Sequence, residues 1–124
     1  MFEDEDGEIF GYYYNTEIIE DYRWSQETDS KSFEFNLQSQ NNRLNQPIKF
    51  EIKDLEIGGI HLWEKSYEDL ITLGDIRLKK ENKNKNESCC YQNESRFDYH
   101  GIEKALCGKI GYPNGCFTPK RILV

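Results

Sequence analysis

The sequence predicts a mainly β protein, an antiparallel two-sheet β-sandwich with one or two short helices. Three observations lead there. Phe33, Phe35 and Leu37 alternate with Glu34, Asn36 and Gln38, and Ile48, Phe50 and Ile52 alternate with Lys49, Glu51 and Lys53. Both runs have the period of two that marks a strand with one buried face. Turn-forming residues recur between short apolar runs, at Asp6-Gly7, Gly58-Gly59, Gly74-Asp75 and across 111–115. Finally, aromatic residues make up 14% of the chain, enough to seed a core although only 36% of residues are hydrophobic.

The elements follow in order. Asp4-Glu5-Asp6-Gly7 is an acidic turn, and Ile9-Phe10-Gly11-Tyr12-Tyr13-Tyr14 after it is rich in β-formers. An Asp-Gly pair before such a run closes a hairpin, whose partner strand is expected to precede Met1. Residues 18–24 are mixed and 25–32 are polar loop. The two alternating runs are strands with Phe33, Phe35, Leu37, Ile48, Phe50 and Ile52 facing a core. Ile60 and Leu62 continue the alternation. Ser66 and Asp69 fit a helix cap, but Ile71, Leu73, Ile76 and Leu78 around Gly74-Asp75 read better as two strands. Residues 79–88 are a low-complexity polar tract and read as a solvated loop. Ile102, Ala105 and Leu106 are at helical spacing before Gly108, predicting one or two helical turns. Ile122-Leu123-Val124 reads as a buried final strand cut short.

The bulk properties narrow the function. The chain's 124 residues make one domain, 1–124. A net charge of −7 argues against a nucleic-acid partner, which needs clustered cations. No apolar stretch reaches the length of a membrane span. The acidic start Glu3-Asp4-Glu5-Asp6 is the opposite of a signal peptide. A cytoplasmic chain is therefore expected, with its four cysteines as thiols.

No constellation for chemistry emerges. Asp4 and Asp6 fail the spacing of a calcium loop. Cys89, Cys90, Cys107 and Cys116 with His61 and His100 contain no Cys-x-x-Cys pair, and neighbours on a strand point to opposite faces. No phosphate loop or nucleophile elbow is present. The expectation is a domain with no catalytic residues, no cofactor and no metal. Cys107 and Cys116 flank a turn-rich stretch and are the candidate redox residues. Trp24, Trp63 and Tyr12 to Tyr14 are the candidate aromatic faces for a small ligand or carbohydrate, with a core role as the plainer reading.

Particular strings carry a resemblance. Ile9-Phe10-Gly11-Tyr12, Lys31-Ser32-Phe33-Glu34-Phe35-Asn36-Leu37, Gly74-Asp75-Ile76 and Phe117-Thr118-Pro119-Lys120-Arg121-Ile122-Leu123-Val124 resemble, in this order, segments of the TLDc domain family. Residues 97–109 resemble a divergent branch in unicellular eukaryotes. The resemblance implies a two-sheet β-sandwich lacking the family's N-terminal segment. It also implies a non-catalytic protein-interaction role, linked to oxidation resistance or to regulation of the vacuolar proton ATPase (V-ATPase). Leu123 replaces an acidic residue usual in the family's closing strand.

Overall fold

The structure, a computed structural model, describes residues 1–20, 26, 28–40, 43–56, 59–80, 88–108 and 115–124. Trp24, most of the lysine-rich tract and the 111–114 part of the turn-rich stretch lie outside the described residues.

Ten strands are described: β1 (Phe2–Asp4), β2 (Ile9–Tyr13), β3 (Phe33–Gln38), β4 (Ile48–Glu51), β5 (Ile60–Leu62), β6 (Asp69–Leu73), β7 (Ile76–Lys79), β8 (Ser88–Cys90), β9 (Cys116–Phe117) and β10 (Pro119–Ile122). They form two antiparallel five-stranded sheets, in the orders β10-β1-β2-β3-β4 and β5-β6-β7-β8-β9. The expected sandwich is found. Its core joins Phe2, Phe10 and Phe50 from the first sheet to Ile76, Leu78 and Phe117 from the second, and the Phe10 and Phe117 rings meet edge to face at 5.0 Å.

The acidic turn does close a hairpin, but its partner strand is β1, within the chain. Asp4 Oδ1 accepts from the backbone N–H groups of Asp6 and Glu8, both at 2.9 Å. An Asp side chain bonding the backbone just ahead is what stabilises such a turn. The last strand is not buried: β10 forms a sheet edge against β1, and Ile122 and Leu123 are about half exposed. Glu3 holds it from β1 by ion pairs to Lys120 and Arg121.

Gly74-Asp75 links β6 to β7 as a two-residue loop, with Leu73 opposite Ile76. Gly74 has φ +58° at the first loop position, where a II′-type turn needs glycine.

The expected short helix is absent. Residues 103–107 form consecutive turns, and no helix occurs among the described residues. Lys104 has a positive φ, which breaks a right-handed run. Other elements take the local backbone groups: Ala105 N–H donates to Gln92 Oε1, and Leu106 C=O accepts from Asn36 Nδ2.

The largest correction concerns β3. Glu34 and Asn36 face the core at 0% and 1% exposure, while Leu37 is 45% exposed. Phe33 and Phe35 share its outward face. The register pairs Glu34 with Phe50 and Asn36 with Ile48, so the inner face of β4 is the apolar one and that of β3 is polar. The alternation is real, but its sign is reversed. The Glu34 carboxyl and the Asn36 amide nitrogen have partners waiting for them, which makes their burial tolerable.

Candidate functional site

The reversed strand leaves an aromatic surface on the outer face of β2, β3 and β4. Tyr13 pairs with Phe33 across the strands, and their rings stack at 5.0 Å. Phe35 lies across Gly11, where a Cβ would come within 2.8 Å of the ring. The glycine lets the ring lie down on the sheet. With Leu37, Pro47 and Lys49, these rings line a shallow apolar groove of about 440 Å³. Lys49 sets its ammonium 4.5 Å from the Phe33 ring centre and 3.7 Å from the Glu51 carboxylate. Large apolar groups facing outward in a contiguous patch are the usual mark of a binding surface.

Beneath that surface lies a buried acid cluster that sequence reasoning missed. The Tyr99 hydroxyl is 2.6 Å from Glu34 Oε2 and 2.6 Å from Asp75 Oδ2. Asp75 N–H donates to Glu34 Oε1 at 2.6 Å. Asn93 N–H and Arg96 complete the shell around Asp75. One hydroxyl has one proton, so it donates to one carboxyl and accepts from the other, which must keep its own proton. Burial raises Glu34 well above the ordinary carboxyl range, and the facing Asp75 adds to this. Burial also pushes Asp75 up to about 6, opposed by Tyr99, Asn93 and Arg96. Glu34 therefore holds the proton and Asp75 the charge. Burial drives the Tyr99 phenol upward, keeping it neutral. Raised carboxyls of this kind can serve as general acids. Here all three residues are 0–1% exposed, so no substrate reaches them. Their chemistry is mechanical: Glu34 on one sheet is bound to the β6–β7 turn of the other.

A second buried acid braces the same strand. Glu8 accepts from Asn36 Nδ2, Gln40 N–H and Arg43, the last at 3.0 Å. Asn36 in turn donates to Leu106 C=O at 2.7 Å.

The cysteines divide between two faces. Cys90 and Cys107 are buried in the core with their thiols hydrogen-bonded to each other. Cys89 points the other way, and its Sγ is 2.9 Å from Cys116 Sγ. The structure thus brings Cys116 to Cys89, and Cys107 to Cys90. None of the four is in a disulfide. Spacing along the chain could not reveal these partners, because the first pairing depends on where β9 joins β8 and the second on where the 103–107 turns pack against β8.

Trp63, Tyr12 and Tyr14 among the candidate aromatics are engaged. Trp63 stacks on His61 at 4.1 Å, and its indole N–H donates to Thr72. Tyr12 is partly buried against the core and stacks on Tyr14. Beside Trp63, a cleft of about 560 Å³ is lined by Tyr67, Arg77, Lys79 and Tyr91. Arg77 lies over the Tyr91 ring at 4.8 Å and pairs with Asp69 at 3.5 Å. Among the described residues, no group of three His, Cys, Asp or Glu side chains is placed to hold a metal ion, and no helix is long and apolar enough to cross a membrane.

Comparison with known proteins found no family model, no curated protein and no solved structure that matches this chain.

Proposed function

We propose that this domain is a non-catalytic protein-interaction module of TLDc type. It binds a partner protein through the outer face of β2, β3 and β4. The observation that carries this reading is the reversal of β3. A strand that buries Glu34 and Asn36 in order to present Phe33, Phe35 and Leu37 spends its apolar residues on something outside the domain. The groove suits an apolar loop or strand of the partner, flanked by an acidic residue to meet Lys49.

The resemblance carried by Ile9-Phe10-Gly11-Tyr12, Gly74-Asp75-Ile76 and the 117–124 segment makes the vacuolar proton ATPase the partner to test first. Its link to oxidation resistance, and a cytoplasmic location for the chain, belong to the same reading.

The test measures binding of the purified ATPase to the immobilised full chain and to its Leu37→Asp and Tyr13→Asp variants. The expected result is saturable binding that either variant weakens about ten-fold or more, the scale of a lost interface anchor. Binding that neither variant changes overturns the face. Absence of binding by the unaltered chain overturns the ATPase as partner. A chain that is dimeric in solution, and monomeric as Leu37→Asp, would replace a foreign partner with a second copy.

A further inference from the structure

The register of the second sheet runs one row of residues across its outer face: Thr72 opposite Arg77, Arg77 opposite Cys89, and Cys89 opposite Cys116. The row therefore ends in two thiols. Cys90 N–H donates to Gly115 C=O at 2.9 Å, which places the backbone ladder bonds on the residues flanking the Cys89–Cys116 pair. At such positions the two Cα atoms approach to about 4.5 Å, within the range a disulfide spans. The sulfurs already touch at 2.9 Å. Closing the bond needs a side-chain adjustment and no strand movement.

We infer that Cys89 and Cys116 form a reversible dithiol–disulfide pair, oxidised by hydrogen peroxide. The two thiols differ in exposure. Cys89 is buried at 2% exposure beneath Tyr91, whose hydroxyl bonds its sulfur, whereas Cys116 is partly exposed. Cys116 is thus the thiol a peroxide meets. Its thiolate attacks one peroxide oxygen; the O–O bond breaks, a sulfenic acid forms and, with one proton, water leaves. Cys89 then attacks the Cys116 sulfur. The S–S bond forms, the S–O bond breaks, and a second water leaves. Two thiols lose two protons and two electrons, and one hydrogen peroxide becomes two waters. Burial, with Cys116 alongside, pushes the Cys89 thiol up to about 12, which suits the resolving partner rather than the first nucleophile. Cys90 and Cys107 are both within the core and out of a peroxide's reach.

The new bond would close the chain from Cys89 to Cys116 around the segment that holds Tyr99. Oxidation would therefore lock the buried acid cluster that ties the sheets together. This inference is independent of the partner-binding face, which lies on the other sheet.

The test treats the reduced full chain with a small excess of hydrogen peroxide at neutral pH, alkylates the remaining thiols and maps tryptic peptides. Trypsin places Cys89 and Cys90 on one peptide, Cys107 on a second and Cys116 on a third. The expected product has lost two hydrogens and links the first peptide to the third, with Cys107 alkylated. Dithiothreitol should reverse the link. Cys89→Ser should abolish it and leave a Cys116 sulfenic acid that dimedone traps. Fragmentation between Cys89 and Cys90 of the linked peptide makes the same distinction if that variant does not fold. A link that joins Cys107 to Cys116, one that survives in Cys89→Ser, or oxidation of Cys116 beyond the sulfenic acid with no link, would each overturn the pair.

Discussion

The Tyr99 hydroxyl bridges Glu34 and Asp75 at 2.6 Å on each side, and since it supplies one proton for two hydrogen bonds, one of the two acids keeps its own proton. The first sheet contributes Glu34, the turn of the second contributes Asp75, and the loop after β8 contributes the bridge. This is a polar tie between the two layers, and the folding energetics should depend on it.

The cluster makes stability depend on pH with a defined sign. Both carboxyls are raised in the folded state, so the folded chain holds protons that the unfolded chain has released. Stability is then highest near pH 4 and falls as pH rises through about 6, the value for Asp75, and beyond it for Glu34. Asp75 alone accounts for a fall on the order of 2–3 kcal/mol, and Glu34 adds to it in the same direction. Glu3 and Asp29 shift the other way, so their effect is complete below this window. Melting temperature should decline between pH 5 and pH 8 (conditions chosen to bracket that window). Glu34→Gln should flatten the profile, because its amide can donate to Tyr99 at any pH. An unchanged slope in that variant would refute the assignment of the proton to Glu34.

Tyr99→Phe removes the bridge and leaves two buried carboxyls to face each other. The expected loss is about 2–3 kcal/mol in urea unfolding, the cost of stranding buried hydrogen-bonding groups that carry charge. A loss under about 0.5 kcal/mol, typical of a surface change, would mean that the cluster is not a tie.

Gly74→Ala tests how closely the layers meet at this point. An added Cβ would lie 2.5 Å from Glu34 Oε1 and 2.8 Å from the Phe97 ring, on a residue with φ +58°. Overpacking and the left-handed backbone together should destabilise by about 2–4 kcal/mol. Calorimetry on the variant reads this directly.

The reversed strand predicts opposite outcomes at neighbouring positions. Leu37→Asp should change stability by no more than about 0.5 kcal/mol, since its side chain is on the surface. Asn36→Leu should cost about 1–3 kcal/mol, since it removes the amide that donates to both Glu8 and Leu106 C=O. Chemical denaturation that ranks the two the other way would restore the orientation read from the hydrophobic pattern.

Oxidation of the Cys89–Cys116 pair should stabilise the fold. The closed loop spans 27 positions, for which loss of unfolded-state entropy contributes about 3.5 kcal/mol. The oxidised chain should melt several degrees higher than the reduced one, with no difference in the Cys116→Ser chain.

The sequence by itself was enough for the fold class and for most strand positions. Alternation at Ile48 to Ile52, the runs on either side of Gly74-Asp75 and the Asp6-Gly7 turn are local signals, and local backbone geometry responds to them directly. Which face of β3 points inward was decided by tertiary structure alone. Period two gives the same pattern whichever face is buried, and the choice turned on partners far along the chain: Tyr99 and Asp75 for Glu34, Glu8 and Leu106 for Asn36. The helix expected near Ala105 failed for the same reason, since Gln92 and Asn36 took its backbone groups. The thiol pairing was equally non-local. Cys116 was singled out by its turn-rich neighbourhood, but its partner across the strand is Cys89, set by the register of β9 against β8, and a register is a relation between two segments that neither one carries alone.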